Sequence, residues 1–183
     1  MTNIIQAPIM KVNDKYIDWH TILNHITNSH ELTILELGCG TGTAFLLDKF
    51  KFVYSYETNT RDNDGIWFKS SMNAYKDRNW QGFFDTSWPS VQKDVDITEL
   101  ITSISQCIDL DSIDVVFIDP GFKNRAECVL AFANTKKYKY IFTHDTNTQP
   151  QLYNWALLND MPEYYTITAT LEGQGTKLWK LND

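Results

Sequence analysis

Residues 34–42 read ILELGCGTG, an apolar run carrying Glu36 that turns over glycines at 38, 40 and 42. Glycines at alternate positions directly after a buried-type strand mark a turn with something close against its backbone. The segments on either side decide what kind of turn it is. LTILEL reads as a strand, TAFLLDKF as a helix, and FVYSYE as a second strand, rich in β-branched and aromatic residues and ending in Glu57. That is a strand, helix, strand unit built around the glycines.

Working outward, the same alternation continues. Upstream, IDWHTILNHITN at 17–28 places Ile17, Ile22, Leu23 and Ile26 on one helical face, so residues 1–30 are expected to form an N-terminal helical or lid segment. Downstream, a helix is predicted near 65–76 and a short strand near 81–85. Asp96 and Glu99 form a capping-box pattern ahead of ELITSISQCI. IDVVFIDP is an apolar strand broken at Asp119 and Pro120, RAECVLAFAN a helix, YKYIFTHD another buried strand, and QLYNWALLND a helix stopped near Pro162. YYTITATL, the turn EGQG and TKLWKL read as a closing hairpin. Buried strands alternating with helices predict an α/β fold: a doubly wound, mostly parallel sheet of about seven strands, helices on both faces, and a C-terminal antiparallel hairpin. The whole of 1–183 reads as a single domain.

Composition narrows the function classes. The chain has 183 residues, is 43% hydrophobic and carries a formal charge of -7, with a pI near 5.0. An acidic surface argues against nucleic acid as a partner, because binding a phosphate backbone needs clustered Lys and Arg. The start lacks a basic stretch followed by a long apolar one, and no run of about 18 apolar residues occurs, so the expectation is a cytoplasmic protein without membrane contact. Cys39, Cys107 and Cys128 form no CxxC pair and are expected to be buried reduced thiols. The aromatic segment from Trp67 to Trp88, with Trp80, Phe83 and Phe84, is expected to fill core rather than line a pocket.

A parallel open sheet binds ligands at the carboxyl ends of its strands. Glu36 to Gly42, Glu57, Asp119 and His144-Asp145 all fall at such ends. The turn is GxGxG rather than the GxGxxG that aims helix amides at a pyrophosphate, and Glu36 stands two residues before it. That pattern suits a cofactor whose amino-acid end is cationic and which has no phosphate.

With LELGCGTG, the carboxylate ending YSYE and the terminal hairpin, residues 30–183 resemble the class I S-adenosylmethionine-dependent methyltransferases. The resemblance implies S-adenosylmethionine as cofactor. It implies that Glu36 contacts the methionine end directly or through water, that Gly38, Cys39, Gly40 and Gly42 let the backbone approach it, and that Glu57 accepts from both ribose hydroxyls. Asp85 and Asp96 compete for the adenine amino group, Asp96 being the better spaced.

For the methyl acceptor, the small-molecule O-methyltransferases of this class that use a divalent metal end the fourth strand in Asp and the fifth in Asp-Asn or His-Asp. Asp119 and Asp145 would then share Mg2+ or another divalent cation with the acceptor hydroxyl of a small molecule or saccharide. Thr146 stands where catechol-type enzymes have asparagine. Without metal, His144 would act as general base. A rival reading takes Asp119-Pro120-Gly121-Phe122 as a variant of the DPPF clamp of adenine amino-methyltransferases acting on nucleic acid, with Phe122 stacking on the base. A third takes the chain as a non-catalytic S-adenosylmethionine-binding protein. Lys123 and Arg125 either bind an anionic substrate or start a solvated helix.

Overall fold

Strand β1, Thr33–Leu37, alternates its side chains between two apolar environments, with Ile34 and Glu36 on one face and Leu35 and Leu37 on the other, each at most 1% exposed. A strand covered on both faces belongs in the middle of a parallel sheet, and there it lies. The computed structural model describes residues 22–58, 65–88, 94–147, 152–158, 161, 163–169 and 175–182. The other strands are β2 (Phe52–Thr58), β3 (Trp80–Asp85), β4 (Val115–Ile118), β5 (Tyr140–His144), β6 (Tyr164–Ala169) and β7 (Thr176–Leu181). The helices are α1 (Thr41–Lys49), α2 (Ile66–Tyr75), α3 (Ile97–Cys107) and α4 (Arg125–Asn134).

The seven strands run in the order β3-β2-β1-β4-β5-β7-β6. β1 to β5 are parallel, while β7 pairs antiparallel with both β5 and β6. The closing hairpin is therefore inserted with its second strand inside and its first at the edge. Strand order reverses between β1 and β4, so the glycine turn and Asp119 flank the crevice where open α/β sheets take ligands.

Two cores cover the sheet. One joins Leu35, Leu37, Val116, Ile118 and Ile141 to Leu100 and Ile104 of α3 and Val129 and Phe132 of α4. The other joins Ile34, Val53, Val115, Phe117 and Phe142 to Phe45 and Leu46 of α1 and Tyr75 of α2. Ile22, Leu23 and Ile26 pack into this second core, and Thr27 Oγ1 lies 3.1 Å from the hydroxyl of Tyr140, the first residue of β5. The described part of the N-terminal segment thus sits toward the amino ends of the strands, away from the glycine turn, and is not a lid over it. Ile17 lies outside the described residues. Among the described residues no helix is long and apolar enough to cross a membrane.

Two expectations are corrected. QLYNWALLND is not an α-helix over its described part: a turn at 152–154 leads into a 3-10 turn at Trp155–Leu158, because Asn154 adopts a left-handed φ of 57° that an α-helix cannot contain. Cys107 is exposed, since it ends α3 beyond its buried residues Leu100 and Ile104; Cys39 and Cys128 are buried as expected. The aromatic segment fills core in part: Trp80, Phe83 and Phe84 are half-buried, the first two packed against the cores. Trp88 belongs to the first cluster, and Trp80 packs on Phe68 and Tyr75.

Candidate active site

The glycine turn is braced from below by Glu36. Register places Glu36 beside Ser55, whose hydroxyl donates to Glu36 Oε2 at 2.5 Å and itself accepts from Trp80 Nε1 at 2.8 Å. Thr43 Oγ1 accepts the Gly40 N–H at 3.0 Å and donates to Glu36 Oε2 at 2.8 Å. Each hydroxyl already receives an N–H, so the proton of each is directed at the carboxylate. Trp80 reaches this network because its ring passes over Gly82, where any Cβ would overlap it. Glu36 therefore meets protein hydroxyls here and ties the turn to β2 and β3.

Burial pushes the Glu36 carboxyl up to about 8 from its ordinary 4.5, against the lowering effect of Ser55 and Thr43; the charges of Glu57 and Asp119 add to the rise. In the unfolded chain the group ionises near its ordinary value, while the folded protein keeps the proton to about pH 8. The unfolded state binds fewer protons in that window, so stability falls as pH rises through it, by at most about 1.4 kcal/mol per pH unit. Glu36→Gln, which is neutral at every pH, should flatten that decline in denaturant-midpoint measurements. An unaltered slope would assign the decline to other groups.

Glu57, buried one residue before the end of β2, accepts the Cys39 N–H at 2.9 Å. The second-strand carboxylate is thereby fixed against the glycine turn itself. Gly38 has a φ of 89° and donates its N–H to the Tyr56 carbonyl at 3.0 Å. A Cβ on Gly38 would overlap the Asp119 carbonyl and come within 2.9 Å of Pro120 Cα. The close approach that requires this glycine is thus made by the chain's own β4 end. The Gly40 backbone precedes α1, and Gly42 is buried within it.

The structure separates the two acids expected to compete for adenine. Asp96 is exposed and caps α3, accepting the Glu99 N–H at 3.0 Å, so its carboxylate serves the helix rather than the crevice. Asp85 ends β3, and the register sets Phe84 beside Glu57 and Asp85 beside Thr58. It accepts from the Tyr56 hydroxyl at 2.5 Å, the Ser87 hydroxyl at 2.6 Å and Trp88 Nε1 at 3.0 Å. Burial raises its carboxyl, but these donors outweigh burial and hold it below the usual value.

At the other side of the crevice, the sheet does bring Asp119 and His144-Asp145 together: one ligand-type atom of each lies within 4.8 Å of the others. His144 is 3% exposed, and its Nδ1 is 3.5 Å from Asp145 Oδ1. Asp145 has a left-handed φ of 64°, a strained conformation for a residue with a side chain and one that recurs at functional sites. The group that bridges the two carboxylates is Arg125: its Nη1 is 2.7 Å from Asp119 Oδ1 and 3.1 Å from Asp145 Oδ2. A divalent cation shared by Asp119 Oδ1 and Asp145 Oδ2 does not fit this arrangement, because ligand distances of about 2.0–2.6 Å from both would place it on the guanidinium.

Arg125 is fully buried and lies 4.2 Å from the Tyr153 ring centroid, so the expectation of a solvated helix start is overturned. Its backbone opens α4, where the helix dipole disfavours a cation. That misfit of charge and position was the available signal for Arg125; nothing in the sequence marked Tyr153, Thr43, Ser55 or Trp80. Phe122 is also fully buried, within the α3–α4 core, and its ring is not placed to stack on a base as the amino-methyltransferase reading required.

No family model and no curated protein matches the sequence. Solved structures match the fold. A precorrin-6y C5,15-methyltransferase from Geobacter metallireducens aligns over 98% of this chain and 97% of its own, with TM-score 0.61 and 14% identity. An rRNA methylase from Streptococcus thermophilus aligns over 95% and 100%, with TM-score 0.57 and 12% identity. A Streptococcus pneumoniae protein described as a tRNA (m1A22) methyltransferase, in complex with S-adenosyl-L-methionine, aligns over 90% and 72%, with TM-score 0.52 and 11% identity. The likeness is one of fold: the chain has the Rossmann-like architecture of class I methyltransferases, as its motifs suggested.

Proposed function

We propose that the chain is a cytoplasmic S-adenosylmethionine-dependent methyltransferase that acts on a hydroxyl of a small molecule or saccharide. The observation that carries this reading is the bond from the Cys39 N–H of the glycine turn to the Glu57 carboxylate. It makes the turn and the second-strand acid two walls of one site, at the switch point of the sheet. The donor set fits the cofactor: Glu57 and Asp85 bring carboxylates to neighbouring strand ends beside the glycine turn, where they can accept from hydroxyl and amino groups of the ligand. Asp85, at the end of the neighbouring strand, is the acid we assign to the adenine side.

When bound, S-adenosylmethionine supplies an electrophilic methyl group. The residues of this chain then have to orient the acceptor and remove its proton. In this reading His144 takes the hydroxyl proton, and the Asp145 carboxylate beside Nδ1 stabilises the imidazolium that forms. Little water reaches this pair, which strengthens its attraction. The buried position of Phe122 favours a hydroxyl acceptor over a nucleobase amino group held by an aromatic clamp.

Calorimetry with S-adenosylmethionine and S-adenosylhomocysteine tests the reading. Wild type should bind both, and Glu57→Ala should weaken binding by about 1.5–3 kcal/mol, the worth of hydrogen bonds to a charged group. Folded wild type that binds neither would remove the methyltransferase assignment.

A further inference from the structure

The guanidinium of Arg125 is a buried cation at a place where burial is costly. It opens a helix whose dipole repels it, it is 0% exposed, and among the described residues its Nε and Nη2 have no hydrogen-bond partner. Among the described residues the groups that answer its charge are Asp119 at 2.7 Å and Asp145 at 3.1 Å, both through Nη1. Tyr153 covers the face of the guanidinium at 4.2 Å, and the Tyr153 carbonyl accepts the Ala126 N–H at 3.3 Å, so the covering loop is fastened to the first turn of α4. Asn124, just before Arg125, is fastened in turn: its side chain accepts from the Val95 N–H at 3.0 Å and donates to the Val95 carbonyl at 2.8 Å. The arrangement holds one nitrogen at the vertex between two carboxylates that end adjacent strands.

We infer that Arg125 is the resident cation of the acceptor side, a positioning residue that holds Asp119 and Asp145 in the way a divalent metal would, so that the chain refuses such a metal and transfers methyl without one. This rests on the proposed methyltransferase reading for its chemistry, but not for its metal preference. The Asp119, His144 and Asp145 ligand atoms have the spacing of a metal site, yet a guanidinium nitrogen already stands between Asp119 Oδ1 and Asp145 Oδ2. Removing the guanidinium should create a divalent-cation site, which a purely structural role for Arg125 would not do.

The test is a titration of the full chain with Mn2+, read by the electron paramagnetic resonance of the free ion, on wild type, Arg125→Met and Arg125→Lys. Wild type and Arg125→Lys should leave Mn2+ free into the millimolar range. Arg125→Met should bind it about tenfold more tightly or better, since a carboxylate pair relieved of the guanidinium between them attracts a hard cation. Folded Arg125→Met without this gain overturns the inference, as does micromolar Mn2+ binding by wild type that is lost in Asp145→Asn. Should Arg125→Met fail to fold, Arg125→Lys decides: refusal of Mn2+ supports the inference and uptake overturns it. S-adenosylhomocysteine binding is measured by calorimetry on the same wild-type sample in chelator. Refusal of Mn2+ with no S-adenosylhomocysteine binding would strike out the cofactor reading alone and leave the Arg125 assignment standing.

Discussion

Gly38→Val should lower the melting temperature by on the order of 10 °C and abolish S-adenosylhomocysteine binding, making it the most damaging single change in the glycine turn. Two penalties combine. A β-branched residue at a φ of 89° is strained by about 1–3 kcal/mol. Its Cβ would also overlap the Asp119 carbonyl and press on Pro120, an overpacking cost of typically 1–3 kcal/mol. Each kcal/mol moves the midpoint by roughly 2–4 °C in a domain of this size. The strand ends would be pushed apart where β1 and β4 meet, so Cys39 would lose its alignment with Glu57 and Asp119 its alignment with Arg125. Differential scanning calorimetry with and without S-adenosylhomocysteine reads both effects. A variant that melts with wild type would show that β4 yields easily, and the turn would then owe its glycine to something other than packing.

His144→Ala should reduce methyl transfer by about 10²–10⁴-fold, the usual worth of a positioned general base, while leaving S-adenosylhomocysteine affinity within experimental error. The separation follows from geometry. His144 closes β5 beside Asp145, whereas the cofactor side is assembled from the turn after β1 and the end of β2. The assay follows S-adenosylhomocysteine formed against a panel of hydroxylated acceptors, selected first with wild type. Chelator should leave the wild-type rate unchanged. Transfer by His144→Ala at the wild-type rate would remove the imidazole from the chemistry and leave Asp145 as the nearest proton acceptor.

The features legible in the sequence were those that depend on the chain near them. The order of strands and helices followed from apolar periodicity. Glu57 could be placed because a strand end after a glycine turn has few alternatives. The hairpin was recognisable as a pair, although its insertion with β7 between β5 and β6 is a matter of long-range register that no local pattern carries. Arg125 escaped because its partners are Asp119, six residues earlier across a turn, and Asp145, twenty residues later just past the end of β5. Read locally, a charged residue opening a helix looks solvated. Phe122 escaped for the converse reason: a motif suggested a ligand contact, and the core claimed the ring. The helix expected at QLYNWALLND had the right composition, but the left-handed turn at Asn154 is a tertiary choice that presents Tyr153 to Arg125.

The inserted position of β7 also sets a timetable for the growing chain. β1 and β2, with Glu36 and Glu57, are neighbours in sequence and can pair early. β5 gains its second neighbour only when Thr176–Leu181 has been made, because His144 pairs with Thr176 and Tyr140 with Lys180. Until then the strand that ends in His144 presents a bare apolar edge, with Tyr140, Ile141 and Phe142 available to any passing strand. Ribosomal pausing or premature termination shortly before Thr176 would therefore release a chain whose first half is ready to fold and whose β5 edge has no cover.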